Sequence, residues 1–171
     1  PISVLVQDKF VRSVKGGYGS AKAAGNYAGT LFPVELAKKQ GYKDVLWLDG
    51  EQKKYASEVG TMNIFFVIDG KLVTPETDGT ILEGITRDSV ITLAKEFGYE
   101  VEQRSISIDE IIAAQESGKL TEMFGTGTAA VVNPVNRFGY KEKDYLLDES
   151  KFIIAPQIKK ELESIQKCII K

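Results

Sequence analysis

Residues 61–74 read TMNIFFVIDGKLVT. Two apolar runs rich in β-branched and aromatic residues flank Asp69-Gly70, a dipeptide that closes a two-residue hairpin turn, so the stretch predicts two antiparallel strands. Immediately upstream, VLWLD and KKYASE add two further extended segments, and Val45–Val73 as a whole reads as an antiparallel meander. Towards the N-terminus, residues 2–15 read as extended, carried by ISVLV and FVRSV. GGYGSAKAAGNYAG follows, with five glycines in fourteen residues, which marks a backbone that turns tightly and admits close approach. Helical spacing then builds towards Leu36 and Ala37 and ends near Gly41. Pro33 inside it either kinks the helix or marks its first turn, with Thr30 as the N-cap.

Towards the C-terminus, a loop over Pro75–Gly84 leads into a helix with Val90, Leu93, Ala94 and Phe97 on one face, closed by Gly98. VEQRSIS reads as a strand and IDEIIAAQES as a short helix with Asp109 near its start. EMF and AAVVNPV are apolar and flank GTGT, which reads as a tight turn between two buried extended segments. A last helix begins beside Pro156, with Ile158, Leu162, Ile165 and Ile169 on one face. No repeat, low-complexity tract or linker divides the chain. The expectation is a single α+β domain over residues 1–171 with mostly antiparallel strands.

Composition narrows the chemistry. At 43% hydrophobic and 27% charged, the chain is ordinary for a globular protein, and 22 basic against 24 acidic residues leave a net charge of −2, which gives no general attraction to nucleic acid. There is no histidine, so neither Ser-His-Asp triads nor histidine zinc sites can be built. The one cysteine, Cys168, excludes an intrachain disulfide and fits a reducing compartment, the cytoplasm; at a near-apolar position of the last helix it reads as filler, not nucleophile. No apolar run approaches the roughly 20 residues of a membrane helix, and no export signal opens the chain. It begins at Pro1 and runs at once into a strand, which reads as a cut end.

Without histidine, a base that works near neutral pH falls to a lysine whose surroundings lower its pKa. Lys22 lies among Ser20, Ala21, Ala23, Ala24 and Gly25, which leave room for a bulky group against the chain. Glu58 precedes VGTMN and the apolar IFFV, placing a carboxylate at the edge of a buried segment. Gly84-Ile85-Thr86 precede a helix, where free N–H groups suit a phosphate, and Gly125-Thr126-Gly127-Thr128 offers a second set of donors. Taken singly these are a surface lysine, a strand-end charge, a helix capped by Thr86 and a turn. Together they are what a protein needs to hold pyridoxal phosphate.

The blocks GSAKAAGNYAGTL, VLWLDGEQKKYASEVGTMNIFFV, LVTPETDGTILEGITRDSV and EMFGTGTAAVVNPV closely resemble the branched-chain aminotransferases, members of the fold-type IV class of pyridoxal-phosphate enzymes. The likeness runs from Lys15 to Val135 and fades after Tyr140. It implies a strand pseudo-barrel with surrounding helices, as in the large domain of D-amino acid aminotransferase-like enzymes, and pyridoxal 5'-phosphate as cofactor. It implies that Lys22 holds the cofactor covalently and moves a proton between substrate and cofactor. By the same likeness Glu58 keeps the pyridine nitrogen protonated and Tyr27 contacts the phenolic oxygen. Ile85, Thr86 and Thr128 would hold the phosphate, and Thr128 with Ala129 the substrate's α-carboxylate.

The implied activity is transfer of an amino group between leucine, isoleucine or valine and 2-oxoglutarate, in branched-chain amino-acid biosynthesis, by a homodimer. The departures are Glu83, where the family usually has proline, and Ala130 and Asn133, where some animal relatives carry a redox cysteine pair. The smaller N-terminal domain of the family, with its phosphate-binding arginine and pocket aromatics, is not in this sequence. Two other readings stay open: a cofactor- or partner-binding domain without turnover, and a class IV relative acting on D-amino acids or aminodeoxychorismate.

Overall fold

Strand β4, Met62–Ile68, explains the architecture of the computed structural model, which describes residues 1–168. Along one side β4 pairs with β7, Leu120–Gly127. Along the other it pairs first with β3, Ala56–Val59, and then with β5, Lys71–Thr74. From β3 the ladder continues through β2, Asp44–Leu48, and β1, Ile2–Gln7, to β8, Val131–Tyr140, which returns to β7. Six strands therefore close into a barrel. Strand β6, Val101–Gln103, extends it beyond β5, and β9, Lys143–Leu146, beyond β8. The pairings β1–β2, β1–β8 and β5–β6 are parallel and the other six antiparallel. The mixed α+β barrel with helices around it agrees with the expected fold class.

β4 is apolar at every position but Asn63 because both its faces are covered. Ile64 and Phe66 point into a cluster fed by all six barrel strands, including Val4, Leu46, Val59, Met123 and Val135, which is the barrel interior. Phe65 and Val67 point outward, under α3, Ile85–Glu96, and α5, Ile154–Gln166. Helix α2, Leu31–Lys39, covers Val45 and Trp47 on another outer face. Helix α4, Ile108–Glu116, adds Ile108, Ile111 and Ala114 to the interior cluster. The expected meander β2–β5 is present, and Asp69 and Gly70, at φ 54° and 78°, make its turn as a type I′ hairpin requires.

Several expectations are corrected. FVRSV is not a strand: β1 ends at Gln7, whose Oε1 accepts from the N–H of Lys9 and Phe10 and turns the chain away. Both edges of β1 are already taken by β2 and β8, so the apolar residues among 10–14 find no ladder to join. GTGT is not a turn either. Strand β7 runs on through Gly127, and the chain reverses at Thr128–Ala130, with Val131 at φ 54°. VEQRSIS contributes only three strand residues. Pro33 sits in the first turn of α2; Thr30 is its N-cap, but the hydroxyl donates to the Tyr27 carbonyl instead of capping. On α5, Ile158 and Leu162 are buried while Ile165 is exposed, and Ile169 lies outside the described residues. Cys168 is exposed beyond the end of α5 and fills no core. Among the described residues no helix is long and apolar enough to cross a membrane.

The start of α5 rests on one buried side chain. Glu122, 2% exposed, accepts from the N–H of Ile153, Ile154 and Ala155, all at 2.8 Å, so a carboxylate satisfies the positive end of the helix. Glu122→Ala strands these donors and is expected to cost about 3 kcal/mol, a fall in Tm of about 6–12 °C in thermal unfolding.

Candidate active site

A β-bulge aims the first functional side chain. Leu46 faces Val59 but Leu48 faces Ala56, so β3 carries one residue more than β2 between these pairs. Ala56 and Val59 both reach the interior, and Glu58 is left pointing out of the barrel. The two-residue loop after β3 is fixed to β2, since Gly60 donates to the Val45 carbonyl and Trp47 Nε1 donates to the Gly60 carbonyl at 2.9 Å. Gly60 has φ 56°, and a Cβ there would run into the Asp44 carboxylate, so glycine is required on two counts.

Outward-facing Glu58 opens on a cavity of about 550 Å³. All seven residues expected at a cofactor or substrate site, Lys22, Tyr27, Glu58, Ile85, Thr86, Thr128 and Ala129, line this one cavity.

Lys22 is exposed, in the loop before α1, Ala24–Ala28, and Tyr27 lies on that helix. The loop is held from beneath: buried Asn26 donates from Nδ2 to the carbonyls of Tyr18 and Ala21, both at 2.8 Å. Gly19 packs against the Thr80 carbonyl where no Cβ fits, and Ser20 donates to the Gly79 carbonyl. The glycines read as a sign of close approach thus bring the lysine loop against the 79–80 loop.

Glu58 is 2% exposed. Its Oε2 lies 2.5 Å from Arg12 Nε, yet no hydrogen bond is aimed at that oxygen, and its Oε1 accepts from Leu82 N and Asn63 Nδ2, both at 3.3 Å. Burial pushes its pKa up to about 7, against the lowering pull of the Arg12 guanidinium. Thr126 Oγ1 is buried and also has no hydrogen-bond partner among the described residues. Thr126 Oγ1, and Glu58 Oε2 with only its Arg12 ion pair, are buried polar atoms outside any hydrogen bond in residues lining one cavity, which fits a polar ligand.

The cavity also meets the N-terminus of α3. Its N-cap is Gly84, with no side-chain cap, so Thr86 is a helical residue and not the cap. The first N–H groups of α3 are left for an anion. Arg87 in the same turn is buried and turned to the Pro75 carbonyl and Gln103 Oε1, and burial lowers its pKa. Of the residues lining the cavity, Lys22 alone is cationic, while Glu83 and Glu58 are acidic.

Sequence reasoning missed Arg12 and Asn63 as site residues and offered Thr126 only within the 125–128 set of donors. Arg12 was hidden in an expected strand. Asn63 and Thr126 stood inside quoted blocks, but without strand register nothing set them apart from their neighbours.

A family model, amino-transferase class IV, matches residues 5–138. The chain is 53% identical over 150 residues to a probable branched-chain-amino-acid aminotransferase of Staphylococcus aureus, covering 88% of this chain and 42% of that protein. It is 54% identical over 143 residues to branched-chain-amino-acid aminotransferase 2 of Bacillus subtilis, covering 84% and 39%. Among solved structures, the branched-chain amino acid aminotransferase from Escherichia coli aligns with a TM-score of 0.80 at 31% identity, over 96% of this chain and 52% of that one. A T.th. branched-chain amino acid aminotransferase complexed with N-(5'-phosphopyridoxyl)-L-glutamate aligns equally well, TM-score 0.80 at 31% identity, over 95% and 51%. The chain spans about two fifths of the length of these curated relatives and about half that of the solved ones. A family match over most of the residues, on a barrel that superposes on solved members, means that this chain belongs to the class IV amino-transferase family.

Proposed function

We propose that the cavity is the pyridoxal 5'-phosphate site of a branched-chain amino acid aminotransferase, with leucine, isoleucine or valine as amino donors and 2-oxoglutarate as acceptor. The observation that carries this reading is the meeting of Lys22, Tyr27, the buried Glu58 and the uncapped α3 terminus in one cavity. The activities for which the relatives are named support the substrate class, and the phosphopyridoxyl ligand of one solved neighbour supports the cofactor.

When bound, pyridoxal phosphate supplies an electron sink conjugated to a carbon that takes up the amino group. Lys22, on the exposed side of the cavity, holds the cofactor covalently and, once released, carries a proton from the substrate's Cα. Glu58 Oε2 holds a proton at the ring nitrogen in a dry wall, where electrostatic effects are strongest. The N–H groups of Ile85 and Thr86 bind phosphate at the helix terminus with Thr128. Thr128 and Ala129, at the exposed reversal after β7, offer backbone donors to the substrate carboxylate. Tyr27 orients the ring through its phenolic oxygen.

The same reading makes the protein a cytoplasmic homodimer. Tyr18, Leu31, Phe32 and Ile85 expose 60–86% of their surfaces, which supports apolar surface covered by a partner.

Incubating the chain with pyridoxal phosphate, reducing with borohydride and mapping peptides is expected to place one adduct on Lys22. Discharge of the loaded protein should be faster with leucine, isoleucine and valine than with D-alanine. Modification at another lysine, or preference for D-alanine, would overturn the assignment.

A further inference from the structure

Glu58 on β3 stands opposite Asn63 on β4, and Asn63 stands opposite Thr126 on β7. Cross-strand partners share a face, so the three form a polar row over three strands, each about 4.8 Å from the next. All three line the cavity. The middle residue is tied on every side. Asn63 Nδ2 donates to Glu58 Oε1 at 3.3 Å and to the Leu82 carbonyl at 2.8 Å. Its Oδ1 lies so close to Gly84 that a Cβ at position 84 would collide with it. Leu82 N–H donates to the same Glu58 oxygen, Oε1. Both hydrogen-bond donors therefore converge on one carboxylate oxygen, and the other, Oε2, is left with the Arg12 ion pair and an unused acceptor direction.

We propose that Asn63 is a positioning residue: by holding Oε1 it reserves Oε2 of Glu58 for the ring nitrogen of the cofactor, and by holding Leu82–Gly84 it fixes the distance from that carboxylate to the phosphate-binding start of α3. One side chain thus sets both ends of the ligand before it arrives. Gly84 is part of the device, because only a residue without a side chain lets the amide of Asn63 reach the segment that leads into the helix. The inference rests on the pyridoxal phosphate reading of the cavity and adds to it a residue that never touches the reacting atoms.

The test compares dissociation constants, by absorbance or fluorescence titration of the full chain, for pyridoxal phosphate and for its carbocyclic analogue with C–H in place of the ring nitrogen. A charge-assisted hydrogen bond to Oε2 makes the parent prefer the nitrogen compound by about tenfold or more. In Asn63→Ala this preference is expected to collapse towards 1. Gly84→Ala retains Asn63 but pushes its amide aside, and is expected to lose the preference as well, which decides the matter if the first variant does not fold. If either folded variant binds both compounds more weakly by the same factor, Asn63 acts only as packing and the proposal is wrong. If the parent itself shows no preference, the placement of the ring nitrogen against Glu58 is wrong, and the proposal falls with it.

Discussion

Lys22→Ala is expected to abolish borohydride-stable capture of pyridoxal phosphate and to lower amino transfer by about 10⁴-fold or more, because the proposed function makes this residue both covalent anchor and proton carrier. Stability should barely move. The side chain is exposed, and its loop is held by Asn26, Gly19 and Ser20, so Tm should stay within about 2 °C of the parent. Lys22→Arg separates charge from chemistry: it keeps a cation in the cavity, but guanidinium is not deprotonated in proteins and cannot take the carbonyl carbon. If Lys22→Arg retained turnover, the amine would be acting only as a counter-ion to Glu58 and Glu83. If a small primary amine added to Lys22→Ala restored part of the rate, the proton-carrying role would be isolated from the anchoring one.

What could be read from the sequence follows how local the determinants are. The β4–β5 hairpin was legible because its turn is encoded by two adjacent residues, Asp69 and Gly70, that tolerate positive φ. Lys22 and Glu58 were legible through their blocks, yet why Glu58 faces out of the barrel was not. That depends on one extra residue in β3 relative to β2, which exists only once the strands are paired. Arg12 is a sharper case. FVRSV has the apolar and β-branched residues of a strand, but no ladder edge is free beside β1, and the segment instead carries a guanidinium to a carboxylate 46 positions later. Extending β7 through Thr126 and Gly127 likewise depends on its pairing with β8, whereas glycine and threonine taken alone suggest a turn. The closing of six strands into a barrel rests on β4 changing partners from β3 to β5 midway, and hydrophobic alternation cannot reveal that.

Glu58 gives the second large effect, and its sign can be worked out. In the folded chain its pKa is about 7, raised by burial from an ordinary 4.5. The folded state therefore holds this proton more tightly than the unfolded state does. The resulting stability is complete below about pH 4.5 and disappears as pH rises through about 7. At about 1.4 kcal/mol for each pH unit between those values, the ligand-free protein should lose about 3 kcal/mol, or about 6–12 °C in Tm, between pH 4.5 and pH 8. Glu58→Gln is neutral throughout and should remove that part of the slope. It should also weaken catalysis by about 10²-fold or more, since an amide cannot keep a proton on the ring nitrogen. Arg12→Ala acts in the opposite sense: without the guanidinium the carboxylate ionises at still higher pH, and the fall in stability extends to more alkaline values. Thermal melts of the parent and the two variants across this pH range check all of it. A parent whose Tm is flat from pH 4.5 to pH 8 would mean that Arg12 holds Glu58 ionised throughout, and the carboxylate would then be ready for a protonated ring before any ligand arrives.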